Sequence, residues 1–527
     1  MTHQTLNMKI FTFLSAFVLV QCCALGQTID VTWSSPQVVE KTTDVRPLGF
    51  ANGRYLFAKD VEANANEVFL LSYDTHLTDP IETPLFTYND EKSDEKTRLI
   101  TLYLDSRSQL IHTLLYVVNL KQKWNGIRLH TFDAMGKPVG APKELVHASP
   151  ESSPSSWATA DADVVFAPDS ASLLIYHELP NKRPTSPSQL YLKVLSADFE
   201  TTLWEKTILL PYTEKEGPLH GVYLNTQHQV FLKVGTEFKD LRRINHGITT
   251  YYVPTEQGFY RVSETGDLLP LAFDLGKNRI KSLNFEVDDA GESRIFCFIG
   301  PSNQSLKGDA LLAQNWATET GQTANTKQIP IDFVYENVPA NQRLNFVLTH
   351  SYLTRNQGTV IIAEQQEAKK EDVAGSFVQI GIPVWHFFNG ALLVINLNAD
   401  NSLKWATVIP KIQHTAGKQQ RRYGSFYSMP FQDKLLFFYN DNAENVNELK
   451  YESKKFVSKA QEMKAATTLV ATLDAEGKLT KQLIPGTESA SGFTVVASEM
   501  VPLGGGKLLC VARWTEQFKV GVLSVSE

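Results

Sequence analysis

Residues Glu499–Trp514 read EMVPLGGGKLLCVARW and Phe518–Ser526 read FKVGVLSVS, after which the chain ends at Glu527. The first stretch is an apolar strand, a glycine turn and a second apolar strand, which together spell a β-hairpin. The second supplies one more strand and stops. At the other end of the chain, Ile29–Val39 (IDVTWSSPQVV) is strand-like and has no hairpin partner of its own. Three strands at one terminus and a lone strand at the other make one four-stranded sheet. A sheet closed through both termini is what a ring of sheets needs if no open edge is to remain between its first and last members.

The same hairpin plan recurs upstream. LGFANGRYLF (Leu48–Phe57), VVFAPDSASLLIYHE (Val164–Glu178), HSYLTRNQGTVIIAE (His350–Glu364) and FYSMPFQDKLLFFY (Phe426–Tyr439) are among eight such hairpins, with turns at Asn52, Asp105, Asp169, Thr226, Ala290, Asn356, Gln432 and Gly505. They recur about every 65 residues, a repeat spacing of the kind that marks stacked or radial architectures. A second ladder falls between them, with acidic turns at Asp74, Asp133, Asp198, Glu264, Glu319, Asp400 and Asp474. There are seven of these, one fewer than the first set. Each pair of hairpins makes a four-stranded unit, A-B then C-D, and the eighth unit lacks the strand that Ile29–Val39 supplies. The sequence therefore predicts an all-β fold, a β-propeller of eight four-stranded blades closed by the amino-terminal strand, with seven blades as the alternative.

Three stretches carry family resemblances. VVFAPDSASLLIYHE resembles the hairpin of TolB-like propeller repeats, with Ser170 where a glycine is usual. LSADFETTLWEKTILL and LVINLNADNSLKWATVIP are similar to quinoprotein-like propeller repeats. The carboxy-terminal third, with WATVIPKIQ, LLFFYNDNAENV and FKVGVLSV, resembles exported bacterial propeller proteins of unknown function. These resemblances imply architecture and location, and no chemistry.

The amino terminus reads as an address. After Lys9 an apolar run extends from Ile10 to Val20, followed by Ala24-Leu25-Gly26 with small residues where signal peptidase cleaves. Residues 1–26 are thus expected to be a signal peptide and residues 27–527 a single propeller domain, exported to the periplasm or the exterior. Leu19-Val20-Gln21-Cys22 is similar to a lipobox, but Gln21 is bulky for the position before the lipidated cysteine. No later stretch is apolar for long enough to span a bilayer as a helix, so no transmembrane segment is expected. Cys297 and Cys510 lie in apolar strand-like runs and read as buried hydrophobes. A net charge of −7 argues against a nucleic-acid partner.

Catalytic motifs are absent. The sequence holds no nucleophile elbow, Walker A, H-E-x-x-H, C-x-x-C or EF-hand pattern, and its histidines show no ligand spacing. No metal and no cofactor is expected, and no catalytic residue is assigned. His386, in PVWHFFNG, and the acidic run Asp288, Asp289 and Glu292 read as packing and turn residues rather than as a base or a calcium loop.

Function on repeat scaffolds gathers in loops longer than the repeat needs. Three insertions lie between strands B and C, at Gly235–Gln257, Glu364–Gly390 and Asn440–Ala466, and one D-A connection, Ile409–Ser425, opens on the same face. Together they carry Lys239, Arg242, Arg243, Lys411, His414, Lys418, Arg421 and Arg422. Six of these, Arg242, Arg243, Lys411, His414, Arg421 and Arg422, are the candidate ligand-binding residues: a local positive field on an acidic body attracts anions, and guanidinium forks suit carboxylates and phosphates. The last insertion has the composition of a short surface helix. The expected function is a non-enzymatic binding or scaffold propeller of the cell envelope, with an envelope protein or an anionic glycan as partner. The alternative is a polysaccharide lyase or hydrolase working in the central channel, which a convergence of His, Tyr and carboxylate groups there would favour.

Overall fold

The computed structural model describes residues 28–526 except 41–42, 61–66, 88–93, 120, 123, 149–161, 180–185, 214–218, 245–246, 272, 274, 288–291, 302–307, 318–321, 337, 339–344, 355, 372–383, 417–421, 452–465, 488–490 and 515. The expected signal segment with Cys22, Lys418, Arg421, Asp288 and Asp289 lie outside the described residues, as does most of the expected helix in the last insertion.

The chain forms an eight-bladed β-propeller. Each blade is an antiparallel four-stranded sheet, built in sequence order in blades 1 to 7. The innermost strands are Val45–Ala51, Glu95–Asp105, Ala162–Phe166, Leu219–Leu224, Arg279–Val287, Asn345–Leu353, Phe426–Phe431 and Val501–Gly504, in blades 1 to 8. Blade 8 closes through both termini: Thr28–Trp33 lies antiparallel to Gln517–Ser526, with Thr28 opposite Ser526 and Trp33 opposite Gly521. No helix among the described residues is long and apolar enough to cross a membrane.

The middle strands are apolar on both faces because each face packs on a different neighbour. In blade 6, Ile361 and Ala363 join the cluster shared with Phe296 and Phe298 of blade 5, while Val360 and Ile362 join the one shared with Phe437 and Leu469 of blade 7. Cys297 and Cys510 are buried and unbridged. The turn aspartates of the second ladder fold the chain back by accepting amide hydrogens: Asp74 from His76 and Thr78, Asp133 from Met135 and Lys137, and Asp474 from Glu476 and Lys478. Two tryptophans of the outer strands tie blades together. Trp204 Nε1 donates to the carbonyl of His228 and Trp405 Nε1 to that of Ala475, each at 2.9 Å in the next blade.

The first two insertions continue as strands. Val230–Ile244 and Gly247–Val262 form one long hairpin of blade 4, Thr359–Glu371 and Val384–Leu397 another of blade 6, and the two meet at Thr250 and Lys370. Blades 4 and 6 are thereby joined into one nine-stranded sheet.

Candidate functional site

The loop-rich face was expected to hold the binding residues. Arg242 and Arg243 lie on the blade 4 hairpin, opposite Thr249 and Ile248. The connection after Ile409 is not an open loop. It turns back as a short strand, Gln413–Ala416, on the extended strand C of blade 6, with His414 opposite Phe388 and Ala416 opposite His386. His414 stacks on Phe388 with ring centroids 4.3 Å apart, and His386 Nδ1 stands 2.9 Å from His414 Nε2. Trp385 and Phe387 are half-buried, with parallel rings at 6.4 Å.

Lys411 is fully buried. Its ammonium donates to Glu364 Oε1 at 2.6 Å and to Gln413 Oε1 at 2.8 Å, and neither Lys411 nor Glu364 exposes any side-chain surface. Glu364 occupies the blade 7-facing row that begins with Val360 and Ile362, so its charge had to find a partner inside. Its other oxygen accepts from Gln366, Asn389 and Ser425. Burial pushes the Lys411 ammonium below its usual pKa, an effect that Glu364 opposes. Arg422 is also engaged: it is paired with Asp44 and, at 2.6 Å, with Glu499, and donates to the carbonyl of Val45. It therefore ties the entry of blade 7 to those of blades 8 and 1. Arg422 holds blades together, Lys411 fastens the Gln413–Ala416 strand to Glu364 within blade 6, and both charges are compensated within the protein.

The open site lies at the other end of the channel. Inner strands of blades 6, 7 and 8 part at their A-B turns and line an open cavity of about 670 Å³. Tyr352, Tyr427, Pro430, Phe431 and Pro502 contribute its apolar surface, and His350 and Ser428 add polar groups. A β-bulge between Leu348 and His350 creates this wall. Before the bulge, Phe346 and Leu348 pack toward blade 5; after it, Tyr352 packs with the blade 6–blade 7 cluster and the His350 ring sits against Phe426. The amide of Leu348 is satisfied by Ser282 Oγ at 2.9 Å. Tyr352 is fixed by Ser428, its hydroxyl lying 2.7 Å from Ser428 Oγ and 3.0 Å from the Ser428 carbonyl oxygen.

Both phenols are neutral at ordinary pH, because burial raises Tyr352 and takes Tyr427 up to about 12. Desolvation lowers the His350 imidazole below its usual value, so it too is neutral at pH 7. On the opposite side of the same strand, Ser351 Oγ donates to Glu286 Oε1 at 2.6 Å and accepts from Asn284 at 3.1 Å. Burial takes Glu286 up to about 7, against the Ser351 hydrogen bond. Nothing in the sequence marked this cavity except the triple glycine of the blade 8 turn.

No protein-family model and no curated protein matches the chain. Solved structures do. The Dos1 propeller is 9% identical, aligned over 94% of this chain and 95% of that one, with a TM-score of 0.42. A polysaccharide lyase of family PL25, an ulvan lyase, is 8% identical over 87% and 96%, with a TM-score of 0.35. Prolyl oligopeptidase B from Galerina marginata is 10% identical, with a TM-score of 0.36 over 92% of this chain and 55% of that chain, so this chain spans about half its length. Likeness at these values carries no inference about ligand or activity.

Proposed function

We propose that the protein is an exported binding propeller that holds a glycan in the cavity at the A-B end of its channel. The observation that carries this reading is the cavity wall. Tyr352, Tyr427 and Phe431 offer ring surface, while Ser428 and His350 offer neutral hydrogen-bonding groups beside it. Sugar rings present the complementary pattern, an apolar face of C–H groups edged by hydroxyls, and amphipathic aromatic side chains suit such ligands. A volume of about 670 Å³ falls in the usual range of small-molecule sites. Export rests on the segment before Gln27. Purified protein presented to an array of oligosaccharides should retain some of them, and Tyr427→Ala should lose them while keeping the β-sheet circular dichroism of the parent. Equal retention by the variant, or none by either protein, rejects the site. Expression of the full chain in a bacterium should give a mature protein beginning at Gln27, and an intact amino terminus in the cytoplasm rejects export.

One observation favours turnover as a second reading. Glu286, poised to exchange a proton near pH 7, lies against Ser351, the residue between His350 and Tyr352. A polysaccharide lyase or hydrolase needs such a group. New unsaturated ends absorbing in the ultraviolet, or new reducing ends, that disappear with Glu286→Gln would establish turnover. Their absence across acidic and neutral polysaccharides leaves binding alone.

A further inference from the structure

The same cavity carries an uneven distribution of charge. Its blade 8 side is the A-B turn Gly504-Gly505-Gly506-Lys507, in which Gly504 pairs with Lys507 and the two central residues have φ of +57° and +74°. Positive φ at both central positions is the two-residue hairpin turn that glycine favours. The amides of those central residues lie outside the ladder. Such a turn mirrors the opening turn of a helix, whose leading N–H groups attract anions. No side chain covers the turn there, for a Cβ on Gly504 or Gly505 would meet nothing within 4 Å. A ligand can therefore approach bare backbone there. Gly506 differs: a Cβ there would stand 2.6 Å from the Phe431 ring, so this glycine seats the turn against the cavity wall.

Lys507 follows directly and is exposed. Among the described residues that line the cavity it is the one with a permanent charge, and none of those is a carboxylate. The body around it is acidic, with 57 Asp and Glu against 50 Lys and Arg. An ammonium beside the exposed backbone of Gly504 and Gly505, with no carboxylate among the described lining residues, favours negative charge there.

We propose that the Gly504–Gly506 turn and Lys507 form an anion subsite at the edge of the cavity, and that the glycan it holds is acidic, with a carboxylate or a sulfate on the sugar next to the ring seated on the tyrosines. This inference rests on the proposed function. It adds the charge of the ligand and the group that reads it. The ammonium supplies attraction that salt screens, and the turn supplies hydrogen bonds to the oxyanion.

Calorimetric titration of the purified protein tests it with three probes: a trigalacturonate, a sulfated galactose oligosaccharide of similar length, and maltotriose as the neutral control. At least one acidic probe is expected to bind tenfold or more tighter than maltotriose and to weaken as salt is raised. Lys507→Gln is expected to reduce that affinity about tenfold, Lys507→Arg to restore most of it, and both to leave the melting temperature unchanged because the side chain is exposed. Carboxylate and sulfate are told apart by which acidic probe binds. If maltotriose binds as tightly as the acidic probes and Lys507→Gln changes nothing, the anion subsite is overturned while the glycan site stands. If no probe binds, or binding survives Tyr427→Ala unchanged, the glycan site fails and the subsite with it.

Discussion

Trp33 lies over Gly521, the residue opposite it in the ladder that closes the ring: a Cβ built on Gly521 would stand 2.5 Å from the indole and 3.2 Å from Cys510 Sγ. The amino-terminal strand is thus fitted to the last blade by a side chain, beyond its backbone hydrogen bonds. Trp33 Nε1 donates to the carbonyl of Pro485, and the Lys519 ammonium sits 4.2 Å from the centre of its ring while donating to Gly486. The seam therefore reaches back into blade 7.

Gly521→Val should strain that seam. Overpacking a filled site costs about 1–3 kcal/mol, and here the displaced group is the residue that anchors the closing strand. The unfolding free energy in urea should fall by that amount and its midpoint with it, and limited proteolysis should cut first in the amino-terminal strand. An unchanged midpoint would mean that Trp33 swings away without loss and contributes little to closure.

The pair Lys411–Glu364 makes a second prediction. Removing one partner of a buried ion pair strands the other, at a cost of about 3–5 kcal/mol. Lys411→Met should therefore be strongly destabilising, whereas Lys411→Met with Glu364→Gln should recover much of the loss. Chemical denaturation of the two variants checks this. Neither substitution should alter glycan binding at the opposite end of the channel, which separates a structural lysine from a ligand-binding one.

How much of this was legible in the sequence depends on the range of the interaction. Hairpins were legible because their turns are local: Asn52, Asp169, Gln432 and Gly505 stand where the chain reverses. Closure was legible because Ile29–Val39 lacked a neighbour to pair with. The role of Lys411 was not. A lysine in IPKIQHTAG reads as a ligand-binding charge on an open loop until the fold places Glu364, 47 residues upstream, against it. Arg422 faces Asp44 from 378 residues away. The cavity was hidden for a different reason. It depends on a bulge at Thr349 that changes which side of the strand His350 and Tyr352 occupy, and one extra residue in an alternating strand leaves no mark in composition.

The acidic turns of the second ladder predict a local effect. Asp474 Oδ1 accepts from the amides of Glu476 at 3.1 Å and Lys478 at 2.8 Å. Asp474→Ala should remove both bonds and cost about 1 kcal/mol, lowering the melting temperature by a few degrees. Asp474→Asn keeps an oxygen at the same place and should retain most of the stability. Equal losses in the two variants would show that the charge matters more than the acceptor.

Stability should also depend on pH, through two buried carboxyls. Burial raises Asp441 to about 6, with Lys481 and Lys411 opposing it, and raises Glu286 to about 7, with the Ser351 hydrogen bond opposing it. Unfolded, both would titrate near about 4. The folded chain thus holds these protons more tightly, and the stability they contribute is complete below about pH 4 and lost progressively as pH rises through 6 and 7. The loss is on the order of 3 kcal/mol for each at neutral pH. Asp441→Asn and Glu286→Gln should each flatten the decline in melting temperature between pH 5 and 8, and each should raise stability at pH 8 relative to the parent. Because Glu286 lies by the channel, its variant also tests whether ligand binding shares that proton: affinity that varies with pH in the parent and not in Glu286→Gln assigns the titration to this carboxyl. A decline that persists in the double variant would place the responsible group elsewhere.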